Sequence, residues 1–152
     1  MKQEVYFESG SVQSLKKILH RIKARAIFLV TQKASYVSCG AEAILSDLLQ
    51  GYRVCRFCDF VPNPEITDVE KGIERFNQHP FDVVVAVGGG SALDMAKMVK
   101  ICAAQDISAR EIVKNRKHIV NQGMPLIAIP TTSGSGSEAT HFAVCYVGKT
   151  KY

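Results

Sequence analysis

Residues 81–97 read FDVVVAVGGGSALDMAK and indicate the type of fold. The run from Val83 to Val87 is apolar at every position, which is typical of a strand that is covered on both faces. Three glycines and Ser91 follow without a spacer, and a helical pattern then occupies 92–104. A buried strand that passes directly into a glycine loop and a helix is the repeating unit of a parallel α/β sheet.

The same alternation extends along the chain in both directions. Continuous apolar strands are predicted for 25–31, 53–60, 81–87 and 125–130, and the tail 141–147 is compatible with one more. Helices are predicted for 11–22, 35–50, 67–76, 92–104 and 108–114. This order predicts a Rossmann-like parallel sheet with helices on both faces, in which ligands bind at the carboxyl ends of the strands.

Two of these helices carry more detailed signals. The second is expected to run without a break to Gly51, with Val37 and Ile44 among its buried positions. The third opens with Thr67-Asp68-Val69-Glu70, which has the spacing of a capping box. In a capping box, the side chains of the first and fourth residues each bond the other's backbone N–H.

The loop of Gly89, Gly90 and Ser91 has the chemistry of a phosphate site. Glycine lets the backbone approach a ligand closely, and the first amides of a helix favour an anion. Ser91 adds a hydroxyl and is predicted to cap the helix. A plain strand-to-helix turn is the alternative. The loop is not a Walker A motif, and Leu93 stands where a GxGxxG motif needs its third glycine.

Asp94 and Lys97 lie three residues apart on the helix that follows, so their side chains can pair. A solvated surface pair is the expectation for this spacing taken alone. Because a phosphate repels a carboxylate, a functional Asp94 is expected to face a hydroxyl or amide part of a ligand.

A second polar loop, PTTSGSGSEAT at 130–140, follows the last predicted strand. Its hydroxyls and glycine amides can bracket a polar ligand, and the alternative is a flexible Ser/Gly linker. Part of it, GSGSEA, also fits the loose GxGxxG/A pattern. We give that match little weight, because an ordinary dinucleotide fingerprint opens the first βαβ unit and this one closes the last.

Composition argues against several classes of protein. The 152 residues carry a formal net charge of +5, and 47% are hydrophobic, which fits one globular domain. No apolar run approaches the roughly 20 residues that span a bilayer, and the start of the chain predicts no secretory signal. Dispersed basic residues do not favour nucleic-acid binding.

The five cysteines, an odd number, indicate reduced thiols and a cytoplasmic protein. Cys55 and Cys58 form a CxxC motif on a predicted strand, where residues three apart point to opposite faces. The four histidines are scattered. Neither set predicts a metal site.

Three segments together carry a resemblance to a known family: GGGSALDMAK, PTTSGSGSEAT and Pro62-Asn63-Pro64. They resemble the amino-terminal half of the iron-containing (group III) alcohol dehydrogenases, in the dehydroquinate synthase-like superfamily. The likeness extends over almost all of the chain. It implies an α/β nucleotide-binding domain over 1–152, with NAD or NADP as the cofactor.

The resemblance also implies roles for single residues. The loop that holds the pyrophosphate is matched by Gly89, Gly90 and Ser91. The TT-rich loop that flanks the cofactor is matched by Thr131, Thr132, Ser135 and Thr140. Further matches are Asp94 near the nicotinamide side, Asn63 near the adenosine end and Lys151, a lysine that reaches the cofactor.

One position departs from the family pattern. Family members commonly have an acidic residue after the first long strand, where it bonds the ribose diol, whereas Gln32 and Lys33 follow Thr31 here. An acid repels a 2′-phosphate and a neutral or basic residue does not. The sequence therefore slightly favours NADP, although Gln32 can also bond the plain ribose of NAD.

The family binds divalent iron or zinc through an aspartate and three histidines of a following helical domain, and those positions are absent from these 152 residues. The metal polarises the alcohol oxygen, so that hydride can pass to the nicotinamide ring. We therefore expect this chain to be the cofactor-holding half of a metal-dependent alcohol dehydrogenase. As a truncated or isolated domain, it is expected not to turn over a small alcohol or aldehyde by itself.

Three alternatives stay open. The first is a stand-alone nucleotide-binding module without catalysis, and the second is a member of the synthase or polyol branch of the superfamily. The third is a member that reduces phosphonoacetaldehyde, which residues 140–142 and 149–152 suggest. In each case Val5-Tyr6-Phe7 is expected to form an edge strand through which two copies pair as a homodimer.

Overall fold

The computed structural model describes residues 3–152 and contains a four-stranded parallel sheet in the order β2-β1-β3-β4. The strands are β1 (Ala26–Thr31), β2 (Arg53–Phe57), β3 (Val83–Gly88) and β4 (Leu126–Pro130). The helices are α1 (Ser14–Arg21), α2 (Lys33–Ser38), α3 (Ala41–Leu48), α4 (Ile66–Asn77), α5 (Gly90–Cys102) and α6 (Ala109–Lys114). Short 3-10 helices span Ser11–Gln13 and Arg116–His118, and an antiparallel hairpin is made by β5 (Tyr146–Val147) and β6 (Thr150–Lys151). Met1 and Lys2 lie outside the described residues. The expectation that the chain has no secretory signal rests partly on these two residues.

The two central strands explain the continuous apolar runs. β1 lies between β2 and β3, and β3 lies between β1 and β4, so that Val85 pairs with Leu29 on one side and Ile127 on the other. All six residues of each of these strands are buried. The parallel α/β fold predicted from the sequence is confirmed. Within residues 3–152, no helix combines the length and the apolar character needed to cross a membrane.

Each face of the sheet has its own core, because alternate residues of a strand point to opposite faces. On one face the ring of Phe28 contacts those of Phe57, Phe76 and Phe81, with centroids 6.0, 5.1 and 5.3 Å away. The other core joins apolar side chains of α1, α2 and α3 to β1 and β3, among them Leu15, Leu19, Tyr36, Leu45 and Leu48. The helices are thereby held on both sides of the sheet.

The second predicted helix is in fact two helices. Gly40 has a φ of 78°, in the left-handed region that ends a helix, and it separates α2 from α3. Val37 of α2 is 54% exposed, and Ile44 of α3 is 46% exposed. The prediction that these two side chains are buried was therefore wrong, and Tyr36 takes the inward position in α2.

The capping box predicted at Thr67–Glu70 is also wrong. α4 begins one residue earlier, at Ile66, because Glu65 is already the extended residue that precedes the helix. A capping box does occur at α6, where Ser108 Oγ accepts from the Glu111 amide at 3.3 Å and Glu111 Oε2 accepts from the Ser108 amide at 3.2 Å. The short helix predicted at 108–114 is confirmed.

Three predicted strand regions differ from the structure. β2 ends at Phe57 because the chain then enters the turn around Asn63, whose φ is 59°. In the tail 141–147, only Tyr146–Val147 is a strand, and it pairs with β6 rather than with the sheet. The segment Val5–Phe7 is not a strand within the described residues, since it lies free of the sheet and Phe7 is 98% exposed. The homodimer stays a prediction, but the edge strand through which it was expected to pair is not formed by Val5–Phe7.

All five cysteines are free thiols. Cys102 and Cys145 are buried, and burial raises the pKa of each thiol to about 11. Cys55 lies in β2 and Cys58 lies beyond its end, so the CxxC motif is not wholly on a strand as the sequence analysis assumed.

Gly72 lies where α4 packs directly against α5. A Cβ placed there would lie 2.6 Å from Cγ2 of Val99 and 3.0 Å from Cε1 of Phe57. We expect Gly72→Ala to lower the free energy of unfolding by about 1–3 kcal/mol, because the added methyl overpacks this contact. Urea denaturation measures the change.

Glu74→Ala is the matched control, since Glu74 is exposed on the same helix. Its effect should stay within about 0.5 kcal/mol. A Gly72→Ala variant as stable as the parent would show that α4 and α5 separate without cost.

Candidate functional site

Two loops start side by side at the carboxyl edge of the sheet. They are the glycine loop (residues 88–91) after β3 and the hydroxyl loop (residues 131–140) after β4. Gly88 pairs with Pro130, and the Thr131 amide donates to the Gly88 carbonyl at 3.0 Å. The expectation that both polar loops lie at this edge is confirmed.

The loops pack so closely that a side chain at either of two glycines would be in tight contact with the hydroxyl loop. A Cβ placed on Gly89 would lie 3.1 Å from Oγ1 of Thr132, and one on Gly90 would lie 3.1 Å from Oγ of Ser137. Ser137 is buried, so the hydroxyl loop is packed onto the glycine loop and is not a free-standing linker. The glycines therefore serve the contact between the loops as well as the turn.

α5 begins at Gly90, and its N-cap is Gly89. The predicted capping role of Ser91 is wrong, because Ser91 lies inside the first turn. Its Oγ instead accepts a hydrogen bond from the Asn63 amide at 3.2 Å. The first amides of α5 have no intrahelical partner and carry the positive potential of a helix N-terminus, an arrangement that favours an anion.

The bond to Ser91 brings the Pro62-Asn63-Pro64 turn to the glycine loop from 28 residues away. The φ of Asn63, 59°, is a left-handed conformation that asparagine adopts more readily than most residues. Asn63 therefore lies beside the first turn of α5, in contact with a residue of the glycine loop.

Asp94 and Lys97 form a largely buried ion pair, with Oδ1 and Nζ 3.5 Å apart and side chains 13% and 12% exposed. The expectation of a solvated pair is wrong, because residues 140–144 fold back over α5. The Val144 amide donates to Asp94 Oδ2 at 3.2 Å, and Lys97 Nζ donates to the Phe142 carbonyl at 2.7 Å. We call this arrangement the Asp94–Lys97 clip.

The clip holds the end of the hydroxyl loop on α5, since Lys97 Nζ also lies 3.4 Å from Oγ1 of Thr140. Burial lowers the pKa of Lys97, and the carboxylate of Asp94 opposes this shift. The amide that Asp94 faces here is the protein's own, at Val144. A contact of Asp94 with a cofactor stays a prediction.

The sequence analysis quoted Glu138 within the hydroxyl loop but gave it no role. Its Oε2 is buried, and among residues 3–152 it has no hydrogen-bond partner. Its charge also favours the ammonium form of Lys97. In the sequence, the signal that could have singled out Glu138 was a lone carboxylate among hydroxyls and glycines. A buried acceptor without a partner can accept a hydrogen bond from a ligand.

Gln32 lies at the carboxyl end of β1, where its backbone forms the N-cap of α2. Its Oε1 accepts from Ser35 Oγ at 3.4 Å, and its carbonyl accepts from Arg56 Nη2 at 3.3 Å. Arg56, on β2, also donates from Nε to Thr31 Oγ1 at 2.8 Å. Sequence reasoning missed Arg56, although a cation near the carboxyl end of a strand is a visible signal.

The residues implied by the resemblance fall into separate groups in space. The interlocked loops and the turn that joins them contain Asn63, Gly89, Gly90, Ser91, Thr131, Thr132 and Ser135. Asp94 and Thr140 meet at the Asp94–Lys97 clip. Gln32 occupies the end of the neighbouring strand β1. Lys151 is exposed on β6, whose partner β5 is tied to the Asn63 turn by a bond from the Tyr146 amide to the Pro64 carbonyl.

Comparison with known proteins shows the family to which the chain belongs. The family model described as iron-containing alcohol dehydrogenase matches residues 2–152. The chain belongs to the iron-containing alcohol dehydrogenase family. Among its relatives, long-chain-alcohol dehydrogenase 1 of Geobacillus thermodenitrificans is 34% identical over 145 residues, which cover 93% of this chain and 37% of that protein.

Solved structures of the family have the same fold. Sulfoacetaldehyde reductase from Bifidobacterium kashiwanohense, in complex with NAD+, gives a TM-score of 0.78 at 34% identity and covers 86% of this chain and 35% of its own. An archaeal halo-thermophilic alcohol dehydrogenase from a Red Sea brine pool gives 0.80 at 30% identity, with coverages of 95% and 41%. The chain thus spans well under half the length of these family members.

The described residues do not fit an iron site. Across residues 3–152, no three His, Cys, Asp or Glu side chains are grouped so that they could hold a metal ion. We assign no step of the family's metal chemistry to the residues of this chain.

The Asp94–Lys97 clip predicts a specific coupling. Asp94→Asn is expected to lower the free energy of unfolding by about 1–3 kcal/mol. The amide oxygen can still accept from Val144, whereas the largely buried ammonium of Lys97 loses its counter-charge. Urea denaturation measures the change.

Lys97→Met and the double variant complete a cycle. The double variant should be less destabilised than the sum of the single variants by at least about 0.5 kcal/mol. Additive effects would show that the two charges do not stabilise each other.

Proposed function

We propose that this chain binds a nicotinamide dinucleotide as the cofactor-binding domain of a metal-dependent alcohol dehydrogenase. The observation that carries the proposal is the contact between the glycine loop and the hydroxyl loop at the carboxyl edge of the sheet. Hydroxyls of Thr132, Ser135 and Ser137 lie beside the glycines that open α5. That combination suits a pyrophosphate, which needs many donors and close approach of the backbone.

The proposed contacts follow the order of the strands. The glycine loop with Ser91 holds the pyrophosphate, and the hydroxyl loop flanks it through Thr131, Thr132, Ser135 and Thr140. Asn63 and Gln32 lie toward the adenosine half, at the turn after β2 and the end of β1. Asp94 lies toward the nicotinamide half, and Lys151 reaches in from the hairpin.

Two properties of the loops support this assignment. Ser91 and Asn63 are already joined, so the turn and the glycine loop form one surface before any ligand arrives. The buried Oε2 of Glu138 has an open acceptor position beside the Asp94–Lys97 clip. A hydroxyl or amide of a cofactor is the kind of group that can satisfy it.

Bound nicotinamide supplies the chemistry, since its ring exchanges a hydride with the carbon of an alcohol or aldehyde. The residues of this chain bind and orient the dinucleotide, and we propose that they do so without turnover when no further domain is present. An assay of NAD(P)H oxidation with added iron or zinc tests this, using a straight-chain aldehyde and an anionic short aldehyde such as sulfoacetaldehyde. Turnover would contradict it.

Cofactor binding is measured by fluorescence titration with NADH and, separately, NADPH. The wild-type chain is expected to bind at least one of them saturably. Gly90→Val should weaken that binding by at least about tenfold, because its side chain would occupy the space between the loops and the ligand.

Ala43→Val is the matched control, since it introduces the same valine side chain at an exposed position of α3. Its affinity should equal that of the wild type. Unchanged binding by Gly90→Val would contradict the pyrophosphate assignment, and a wild-type chain that binds neither cofactor would contradict the proposed function itself.

A further inference from the structure

We propose that the cavity between α5, α6 and residues 141–145 binds a short aliphatic carboxylate, with the chain inside the cavity and the head group on Arg116. The cavity has a volume of about 270 Å³. It lies along the second half of α5, where Ile101 is about 16 Å along the helix axis from Gly90 of the glycine loop. The site is therefore separate from the two polar loops, and the inference does not rest on the proposed function.

The lining of the cavity is largely apolar. It is formed by side chains of α5, of α6 and of the segment after the second 3-10 helix, namely Met98, Ile101, Ile112, Val113 and Ile119. The thiols of Cys102 and Cys145 also line it. Transfer of methylene groups from water to such a lining is favourable.

Separate polar contacts hold the walls in place. The side chain of Gln105 is buried, and its Oε1 accepts from the amides of Val120 and Asn121 at 3.0 and 3.1 Å. The capping box at Ser108 fixes the start of α6, and the Asp94–Lys97 clip holds the segment that closes the cavity from the other side. A cavity that is already formed costs little conformational entropy when a ligand enters it.

The charged lining is of one sign. Lys97, Arg116 and His141 line the cavity, and no Asp or Glu of residues 3–152 does. Lys97 is paired within the clip. Arg116 is in none of the ion pairs formed within residues 3–152, and its guanidinium carbon lies 5.4 Å from the centre of the Phe142 ring. A guanidinium can bind a carboxylate through two parallel hydrogen bonds, and an imidazole N–H can add a third.

These features together define the class of ligand. The apolar walls disfavour a ligand that is polar throughout, because its groups would lose water without gaining partners. The cations favour an anionic head group over a neutral one. The volume is below the about 300–1,000 Å³ of pockets for drug-sized ligands, so the chain must be short. A straight-chain carboxylate such as hexanoate has all three properties.

Isothermal titration calorimetry of the full chain tests the ligand class with hexanoate, butanoate and hexanamide. Hexanoate is expected to bind saturably. Butanoate should bind about tenfold more weakly, because it buries two fewer methylene groups. Hexanamide should also bind about tenfold more weakly, because it has the same shape without the charge.

Arg116→Gln tests the head-group contact. It should weaken hexanoate about tenfold and leave hexanamide unchanged, since only the carboxylate uses the guanidinium charge. Lys117→Gln is the matched control, because it removes the same charge from the same 3-10 helix at a residue that does not line the cavity. Its affinity for hexanoate should stay within about twofold of the wild type.

Thiol labelling locates the ligand. Saturating hexanoate should slow the reaction of Cys102 and Cys145 with N-ethylmaleimide severalfold, because both thiols line the cavity. Cys55 is the internal control, since it is partly buried on β2 and outside the cavity. Mass spectrometry of the labelled peptides gives the rate at each cysteine.

Three results would overturn the inference. The first is hexanamide binding as tightly as hexanoate, and the second is an equal loss of hexanoate affinity in Arg116→Gln and Lys117→Gln. The third is equal protection of Cys55 and of the two cavity thiols, which would place the ligand elsewhere. Titration with NADH or NADPH reports on the glycine loop instead, so a failure there would contradict the proposed function and leave this site standing.

Discussion

The contact between the glycine loop and the hydroxyl loop is the constraint on which the site depends. Gly89 and Gly90 approach Thr132 and Ser137 so closely that a Cβ on either glycine would be in tight contact. The pairing of β3 with β4 sets this distance, and β3 is fixed because it is buried on both faces between two strands. A slip of one residue between β3 and β4 would separate the two loops.

α5 connects the glycine loop to the end of the hydroxyl loop. Its first turn supplies amides to the glycine loop, and its second turn supplies Asp94 and Lys97, which hold residues 140–144. The two charges are tolerated in a largely buried place because each has protein partners beyond the other. Glu138 differs, since one of its oxygens is buried without a donor among the described residues.

Gln32 lies at the end of β1, the strand next to the one that leads into the glycine loop. Gln32 follows β1, and its carbonyl is tied to Arg56 of β2, 24 residues further along the chain. The charges of Arg56 and Lys33 are balanced by the exposed carboxylates of Glu42 and Asp59, so these four side chains together carry no net charge. The glycine loop and the ion pairs of Arg56 and Lys33 therefore reside in different elements.

The sequence by itself determined the alternation of strands and helices, the parallel sheet and the position of both loops. The reason is that buried strands such as Val83–Gly88 must be apolar throughout, and loop glycines are visible as letters. It did not determine where Ser91 donates or accepts, that Asp94 and Lys97 are buried, or that Arg56 stands beside Gln32. Those properties depend on contacts between residues 24 to 50 positions apart, which local patterns do not contain. Only the tertiary structure decided them, because burial of a polar group depends on which distant segment folds over it.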